Sequence, residues 1–274
     1  MQELLINLGI WRKVLPFLKY LFLNKTLGNW KMIKMTAQRF PLWEFSEFYE
    51  PPFITLGGIF HFKFRSPNPW DWLKEKSELL ASSRQIYVDG IDDWGQYEIY
   101  KPWNLGVADG VEIPETAKIE DSLIGKDVKV GPGAYIKNSI VMDGAKISAG
   151  AQALDSIIFC EARLASQAVT NNRTHHQEEV YLKIVQDGVE QKYQTGRDKF
   201  GAIVGKQARV VARLEPGTAI GMYSFVQNCH PYDQPRYVPP RKRVYVKVEN
   251  GKINLVMEDI TPVQLETFDK EGKI

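Results

Sequence analysis

The sequence has few of the residues from which metal sites, disulfide frameworks and strongly charged surfaces are built. It contains only two cysteines, Cys160 and Cys229, and four histidines among 274 residues. Two distant cysteines give neither a disulfide framework nor a zinc-ligand spacing. The 35 Lys and Arg residues nearly balance the 33 Asp and Glu residues, for a formal net charge of +2. We therefore predict a reduced, cytoplasmic compartment, no metal at the site and no nucleic-acid partner.

Long uninterrupted apolar runs are also missing. The most apolar window, "LLINLGIWRKVLPFLKYLFLN" within residues 1–25, carries Arg12, Lys13 and Lys19 and is split by Pro16. A membrane-spanning helix needs about 20 consecutive apolar residues, so we predict neither a transmembrane helix nor a signal peptide. An amphipathic helix that contacts a membrane surface is one interpretation. Packing on the protein body or across a subunit interface is the simpler one, and we favour it.

What the sequence does contain is an internal repeat of seventeen residues. Three successive segments, "AKIEDSLIGKDVKVGPG", "AYIKNSIVMDGAKISAG" and "AQALDSIIFCEARLASQ", each begin with Ala and carry Ser at the sixth place. Small or aliphatic residues recur through them in steps of six, six and five. These positions are Ala117, Leu123, Val128, Ala134, Ile140, Ala145, Ala151, Ile157, Ala162 and Ala168. An invariant short period is typical of a solenoid.

Turn residues separate the short apolar stretches, as in "GPG", "MDG", "SAG", "EDS" and "KNS". Three strands and three turns in each repeat predict a triangular coil, and equivalent strands of successive coils stack about 4.8 Å apart. We predict a mainly β chain that forms a triangular parallel β-helix of about six coils. The recurring small or aliphatic positions should face its interior.

The repeat is interrupted once. Its phase is lost after "TNN" and returns at Ile203, shifted by 29 residues. An inserted loop of about residues 173–200 accounts for the shift, and long loops of this kind are often functional. Within it, "EVYLKIVQDGVEQKYQTG" predicts a hairpin that turns at Asp187 and Gly188.

The segments on either side of the solenoid complete the predicted organisation. Residues 1–100 should form a small N-terminal α+β segment with an amphipathic helix, and residues 101–274 the β-helix. In the tail, "KRVYVKVENGKINLVMED" predicts a second hairpin. We expect residues of about 228–274 to cap the last coil, because an uncovered coil is an exposed strand edge.

The hexapeptide-like coil resembles the left-handed β-helix acyltransferases, and left-handedness is implied by that resemblance. The run from "YIKNSIVMDGAKI" through "DSII", "TNN" and "TGRDKFGAIVG" is similar to the acetyltransferase half of bifunctional sugar-1-phosphate nucleotidylyltransferase/acetyltransferases. The resemblance is particularly to the archaeal type of the N-acetylglucosamine-1-phosphate uridyltransferase family. The resemblance implies a homotrimer that acetylates an amino-sugar phosphate or sugar nucleotide from acetyl-CoA. The nucleotidylyltransferase half has no counterpart here, so nucleotidyl transfer is not expected.

The resemblance also assigns site residues one by one. The family's catalytic histidine, which takes a proton from the sugar amine, corresponds to Ala149. Lys137 matches the lysine of the sugar site, and Asn172 matches an asparagine that contacts the substrate. Arg197 matches within "TGR", and Arg163 replaces a further asparagine of the family. These four residues are the predicted acceptor-binding set.

Two functions stay open because the base is missing. As an enzyme, the protein would be a CoA-dependent N-acetyltransferase in which His176 or His175 of the inserted loop supplies the base. As a non-catalytic homologue, it would be a trimeric scaffold or a sugar-nucleotide-binding protein. A solvated loop tip is the simpler interpretation of "THHQEE". A metal site there is disfavoured, because adjacent side chains on an extended strand point in opposite directions.

Overall fold

The computed structural model describes residues 40–47, 53–55, 61–88, 105–108, 110–227, 235–249, 252–261 and 264. The apolar window 1–25 and Cys229 lie outside these residues. All elements given below belong to one compact unit, Arg39–Ile274. In the described part of the chain, no helix combines the length and the apolar character needed to cross a membrane.

The segment before the solenoid contains a 3₁₀ turn, a small strand pair and one long helix. The turn is Leu42–Glu44, and β1 (Phe53–Thr55) pairs antiparallel with β2 (His61–Lys63). The helix α1 spans Pro69–Val88. It begins at a proline, whose missing N–H costs nothing in the first turn, and carries Asp71 near its positive end.

The rest of the described chain is a parallel β-solenoid with three faces. The first face has five strands: β4 (Lys118–Glu120), β7 (Tyr135–Lys137), β10 (Gln152–Leu154), β13 (Val169–Thr170) and β18 (Arg213–Leu214). The second face has seven: β3 (Leu105–Val107), β5 (Ser122–Ile124), β8 (Ile140–Val141), β11 (Ile157–Ile158), β16 (Ala202–Val204), β19 (Thr218–Ile220) and β21 (Tyr237–Val238).

The third face also has seven strands: β6 (Lys129–Val130), β9 (Lys146–Ile147), β12 (Arg163–Leu164), β17 (Arg209–Val211), β20 (Phe225–Gln227), β22 (Lys242–Glu249) and β23 (Lys252–Asp259). Only β23 is antiparallel there; it folds back on β22 as the predicted second hairpin. The prediction of a mainly β, parallel solenoid is confirmed. The second face has seven stacked strands, one for each coil that it crosses, whereas the sequence predicted about six coils.

The strand register reproduces the seventeen-residue repeat and its interruption. Leu123 pairs with Ile140, and Ile140 with Ile157. Ile157 then pairs with Ile203, which is one repeat plus the 29-residue insertion further along the chain. The insertion contains the predicted hairpin, formed by β14 (Tyr181–Gln186) and β15 (Val189–Gln194).

The interior of the prism is narrow and rich in alanine, as predicted. Its core contains Ala134, Ala145, Ala151, Ala162 and Ala168, all nearly inaccessible to solvent. The equivalent residues Ala134, Ala151 and Ala168 therefore all face the interior core, as the repeat predicts.

The prediction that Leu123, Ile140 and Ile157 also face the interior is wrong. The next residues of their strands, Ile124 and Val141 among them, fill the interior. The three residues themselves point outward into a second core. That core lies over the second face and includes the following aromatic residues: Phe40, Phe45, Phe64, Trp70, Trp72, Phe159, Tyr193 and Phe200. Because both sides of the second face are buried, its strands show no alternation of apolar and polar residues from which their orientation could be predicted.

Candidate functional site

An Asp or Asn residue recurs at the corner between the first and second faces. Asp121, Asn138 and Asp155 have φ values of 44°, 46° and 45°, a left-handed conformation that short polar side chains tolerate. Asn138 Nδ2 donates to Asp155 Oδ1, and Asn172 Nδ2 donates to Asp155 Oδ2, each at 2.5 Å. The predicted site residue Asn172 is thus the fourth member of this corner row. Its amide N–H is already bound to a carboxylate.

The serine at the sixth place of each repeat is structural. Ser122, Ser139 and Ser156 are fully buried just after the corner residues. Ser139 N donates to Ser122 Oγ at 3.0 Å, and Ser156 N donates to Ser139 Oγ at 3.1 Å. The row of hydroxyls satisfies backbone groups where the chain turns from one face to the next. A buried N–H without such a partner would cost about 1–3 kcal/mol.

The corner row also holds a buried lysine from outside the repeat. Lys76 of α1 is fully buried; its Nζ donates to Asn138 Oδ1 at 2.6 Å and to the Asp121 carbonyl. Burial lowers the pKa of Lys76 to about 8, and the nearby Asp121 and Asp155 charges oppose that shift. Sequence reasoning missed this residue, because α1 carries no part of the seventeen-residue pattern.

Lys137 projects from β7 on the first face and is engaged by a carboxylate. Its Nζ lies 2.8 Å from Glu120 Oε2, while Lys118 Nζ lies 2.7 Å from Glu120 Oε1. The hydrogen bonds from Lys118 and Lys137 lower the pKa of Glu120 to about 2. Lys137 must therefore share its ammonium with Glu120 in order to bind a phosphate.

The remaining loop residues of the predicted set lie on the insertion. Arg197 Nε donates to the Lys199 carbonyl at 3.3 Å, and its charge contributes to lowering the pKa of Lys76. His175 and His176 are exposed, with their rings edge to face at 5.2 Å between centroids. They come three and four residues after Asn172, in the first part of the insertion.

Arg163 is on a different face from Lys137. It lies on β12 of the third face, in register with Lys146 and Arg209. Its Nε is buried and has no hydrogen-bond partner. Ala149, which the sequence resemblance matches to the catalytic histidine, is exposed beside Ser148, just after β9 of the same face. The four predicted acceptor residues are therefore distributed over two faces, a corner and a loop of the single chain.

Cys160, the cysteine within the described residues, does not have the properties of a reactive thiol. Burial raises the pKa of the Cys160 thiol to about 11, which disfavours the reactive thiolate. In the described residues, no group of three or more His, Cys, Asp or Glu side chains is arranged to hold a metal ion.

Comparisons with known proteins give one family match and several distant structures. Residues 104–213 match the family model of the GMPPB C-terminal domain. A Bacillus cereus protein described as an acetyltransferase is 12% identical, with a TM-score of 0.44, over 62% of this chain and 87% of its own. No curated protein matches the sequence.

Two further structures are acetyltransferases with bound ligands. Perosamine N-acetyltransferase of Caulobacter crescentus, with CoA and GDP-perosamine, is 12% identical, with a TM-score of 0.23, over 56% of both chains. The acetyltransferase domain of PglB from Neisseria gonorrhoeae, with acetyl coenzyme A, is 12% identical, with a TM-score of 0.20, over 51% of this chain and 53% of its own. At these values the similarities give no argument about the ligand of the present chain.

Proposed function

We propose that the protein is a hexapeptide-repeat acyltransferase homologue that has lost its catalytic base and acts as a scaffold that binds a sugar nucleotide or sugar phosphate. The proposal includes a left-handed coil, a homotrimer and a cytoplasmic location. The observation that carries it is that Ala149, which the resemblance matches to the catalytic histidine, is exposed and has only a methyl side chain. A methyl group cannot take the proton that an attacking amine must lose, and loss of a general base typically costs about 100 to 10,000-fold in rate.

The contacts of the other predicted site residues support the same conclusion. Asn172 is bound to Asp155, and Lys137 is bound to Glu120. Both side chains have structural partners within the chain, so neither depends on a substrate for its polar contacts. A binding protein needs no more than this scaffold together with an anion-binding surface.

A second candidate function is CoA-dependent N-acetylation of an amino-sugar phosphate, with acetyl-CoA as co-substrate. The exposed pair His175 and His176, close to Asn172 in sequence, favours it. A neutral loop imidazole would take the proton of the acceptor amine as its nitrogen attacks the thioester carbonyl. CoA would leave as the thiolate.

Calorimetric titration and an assay of CoA thiol release separate the two functions. We expect the wild type to bind UDP-N-acetylglucosamine and to release no CoA from acetyl-CoA with glucosamine 1-phosphate as acceptor. If the wild type releases CoA and the His175→Ala/His176→Ala double variant does not, the scaffold function is wrong and the N-acetyltransferase function is supported. Sedimentation equilibrium tests the trimer.

A further inference from the structure

Four cations stack on the outer side of the third face. Lys129, Lys146, Arg163 and Arg209 occupy directly paired positions of β6, β9, β12 and β17. We call these four residues the cation ladder. With rungs about 4.8 Å apart, they span roughly 14 Å along the solenoid axis. Like charges directly opposite one another destabilise a sheet, so the fold itself does not explain their alignment.

On the first face, two lysines of adjacent strands are neutralised by a carboxylate. There Lys118 and Lys137 share the carboxylate of Glu120. On the third face, among the described residues, no ion pair reaches Lys129, Lys146 or Arg163. The closest carboxylates in sequence belong to the preceding turns: Asp127, Asp143 and Glu161. Of these, Glu161 Oε2 accepts a hydrogen bond from Gln207 Nε2.

A row of small residues runs beside the cation ladder. Gly131, Ser148 and Ala165 are the next outward positions of the first three strands, and their backbone N–H groups continue the sheet. A Cβ at Gly131 would lie 2.5 Å from the Ala149 nitrogen, so a side chain is excluded there. Ser148 is 5% exposed, and its buried Oγ has no hydrogen-bond partner. The third face therefore carries a row of small residues beside long cationic side chains.

We propose that the phosphate groups of the sugar nucleotide bind to Lys146 and Arg163, with the rest of the ligand over the row formed by Gly131, Ser148 and Ala165. The inference rests on the proposed function, in which the ligand is a sugar nucleotide. It places the phosphate groups of that ligand on the third face instead of at Lys137. Two cations on adjacent rungs match two linked phosphate groups. The arginine fork binds a phosphate through paired N–H groups, and the lysine supplies a compact charge.

The test is a set of titrations with UDP-N-acetylglucosamine, inorganic pyrophosphate and N-acetylglucosamine. Lys146→Ala and Arg163→Ala should each raise the Kd for UDP-N-acetylglucosamine at least about tenfold, as expected for a lost charge-assisted contact. Arg163→Lys should recover part of the loss, and N-acetylglucosamine should not bind. Lys183→Ala is the matched control, since Lys183 is paired with Glu190 at 2.9 Å on the inserted hairpin; its Kd should stay at the wild-type value.

The outcomes distinguish this inference from the proposed function. If the wild type binds UDP-N-acetylglucosamine and only Lys137→Ala weakens binding, the third-face site is wrong and the ligand class stands. If inorganic pyrophosphate binds through Lys146 but UDP-N-acetylglucosamine does not bind, the sugar-nucleotide ligand is wrong and the anion site stands. Binding of neither probe overturns both. Circular dichroism of each variant excludes unfolding as the cause of a loss.

Discussion

The ammonium of Lys76 lies 2.6 Å from Oδ1 of Asn138, a residue 62 positions further along the chain. Asn138 donates in turn to Asp155, which also accepts from Asn172. One row of hydrogen bonds thus joins α1, successive coils of the solenoid and the start of the insertion. The helix outside the repeat is an integral part of the corner from which the insertion leaves.

Lys76→Met should change how stability depends on pH. Burial lowers the pKa of Lys76 from 10.5 to about 8, so between these values the unfolded chain binds more protons than the folded one. Lys76 therefore makes the free energy of unfolding rise with pH between about 8 and 10.5. Below about pH 8, keeping the buried ammonium charged lowers the free energy of unfolding by on the order of 3 kcal/mol. Urea unfolding at intervals from pH 7 to 10.5 should show the wild type gaining stability relative to the variant.

The exposed neighbour Lys74, whose side chain is 79% accessible, provides the control for that experiment. The free energy of unfolding of Lys74→Met should depend on pH in the same way as that of the wild type. If the difference in free energy of unfolding between the wild type and Lys76→Met does not vary with pH, the lowered pKa of Lys76 is wrong.

Lys118→Ala and Lys137→Ala should each raise the pKa of Glu120, which their hydrogen bonds hold at about 2. Because the folded pKa is depressed, the contribution of Glu120 to stability is complete above pH 4.5 and is lost as the pH falls towards 2. Carboxyl ¹³C chemical shifts followed by NMR measure the pKa directly, and an unchanged value in both variants would refute the pairing.

Ile157→Ala should lower the free energy of unfolding by about 2–5 kcal/mol, the usual cost of truncating a buried aliphatic side chain. Ile157 is fully buried in the core outside the second face. Val185→Ala, at a site 42% exposed on the inserted hairpin, should change it by no more than about 0.5 kcal/mol. Equal effects of the two substitutions in urea unfolding would mean that the second face is not covered.

Cys160 should resist alkylation while the protein is folded. Burial raises the pKa of its thiol to about 11, so the thiolate, which is the reactive form, is scarce at pH 8. In a Cys229→Ser background, mass spectrometry after iodoacetamide treatment should show little modification in buffer and full modification in urea. Equally fast reaction in both conditions would contradict this assignment.

The features that sequence analysis predicted well share a local origin. The repeat, the 29-residue insertion before Ile203 and both hairpins follow from turn residues and from a fixed spacing between stacked strands. A solenoid is nearly one-dimensional, so each coil contacts its equivalents at a constant sequence separation. The predicted inward orientation of Leu123 and Ile140 was wrong, because strands that are buried on both sides show no alternation of apolar and polar residues.

The sequence by itself determined the coil: its period, its alanine-lined interior and the left-handed corner residues Asp121, Asn138 and Asp155. Only the tertiary structure placed Lys76 in that corner, paired Lys137 with Glu120 and separated Lys137 from Arg163. The physical reason is the kind of contact. Stacking between coils repeats along the chain and leaves a pattern, whereas the packing of α1 and the partner chosen by each charged side chain depend on unique contacts in three dimensions.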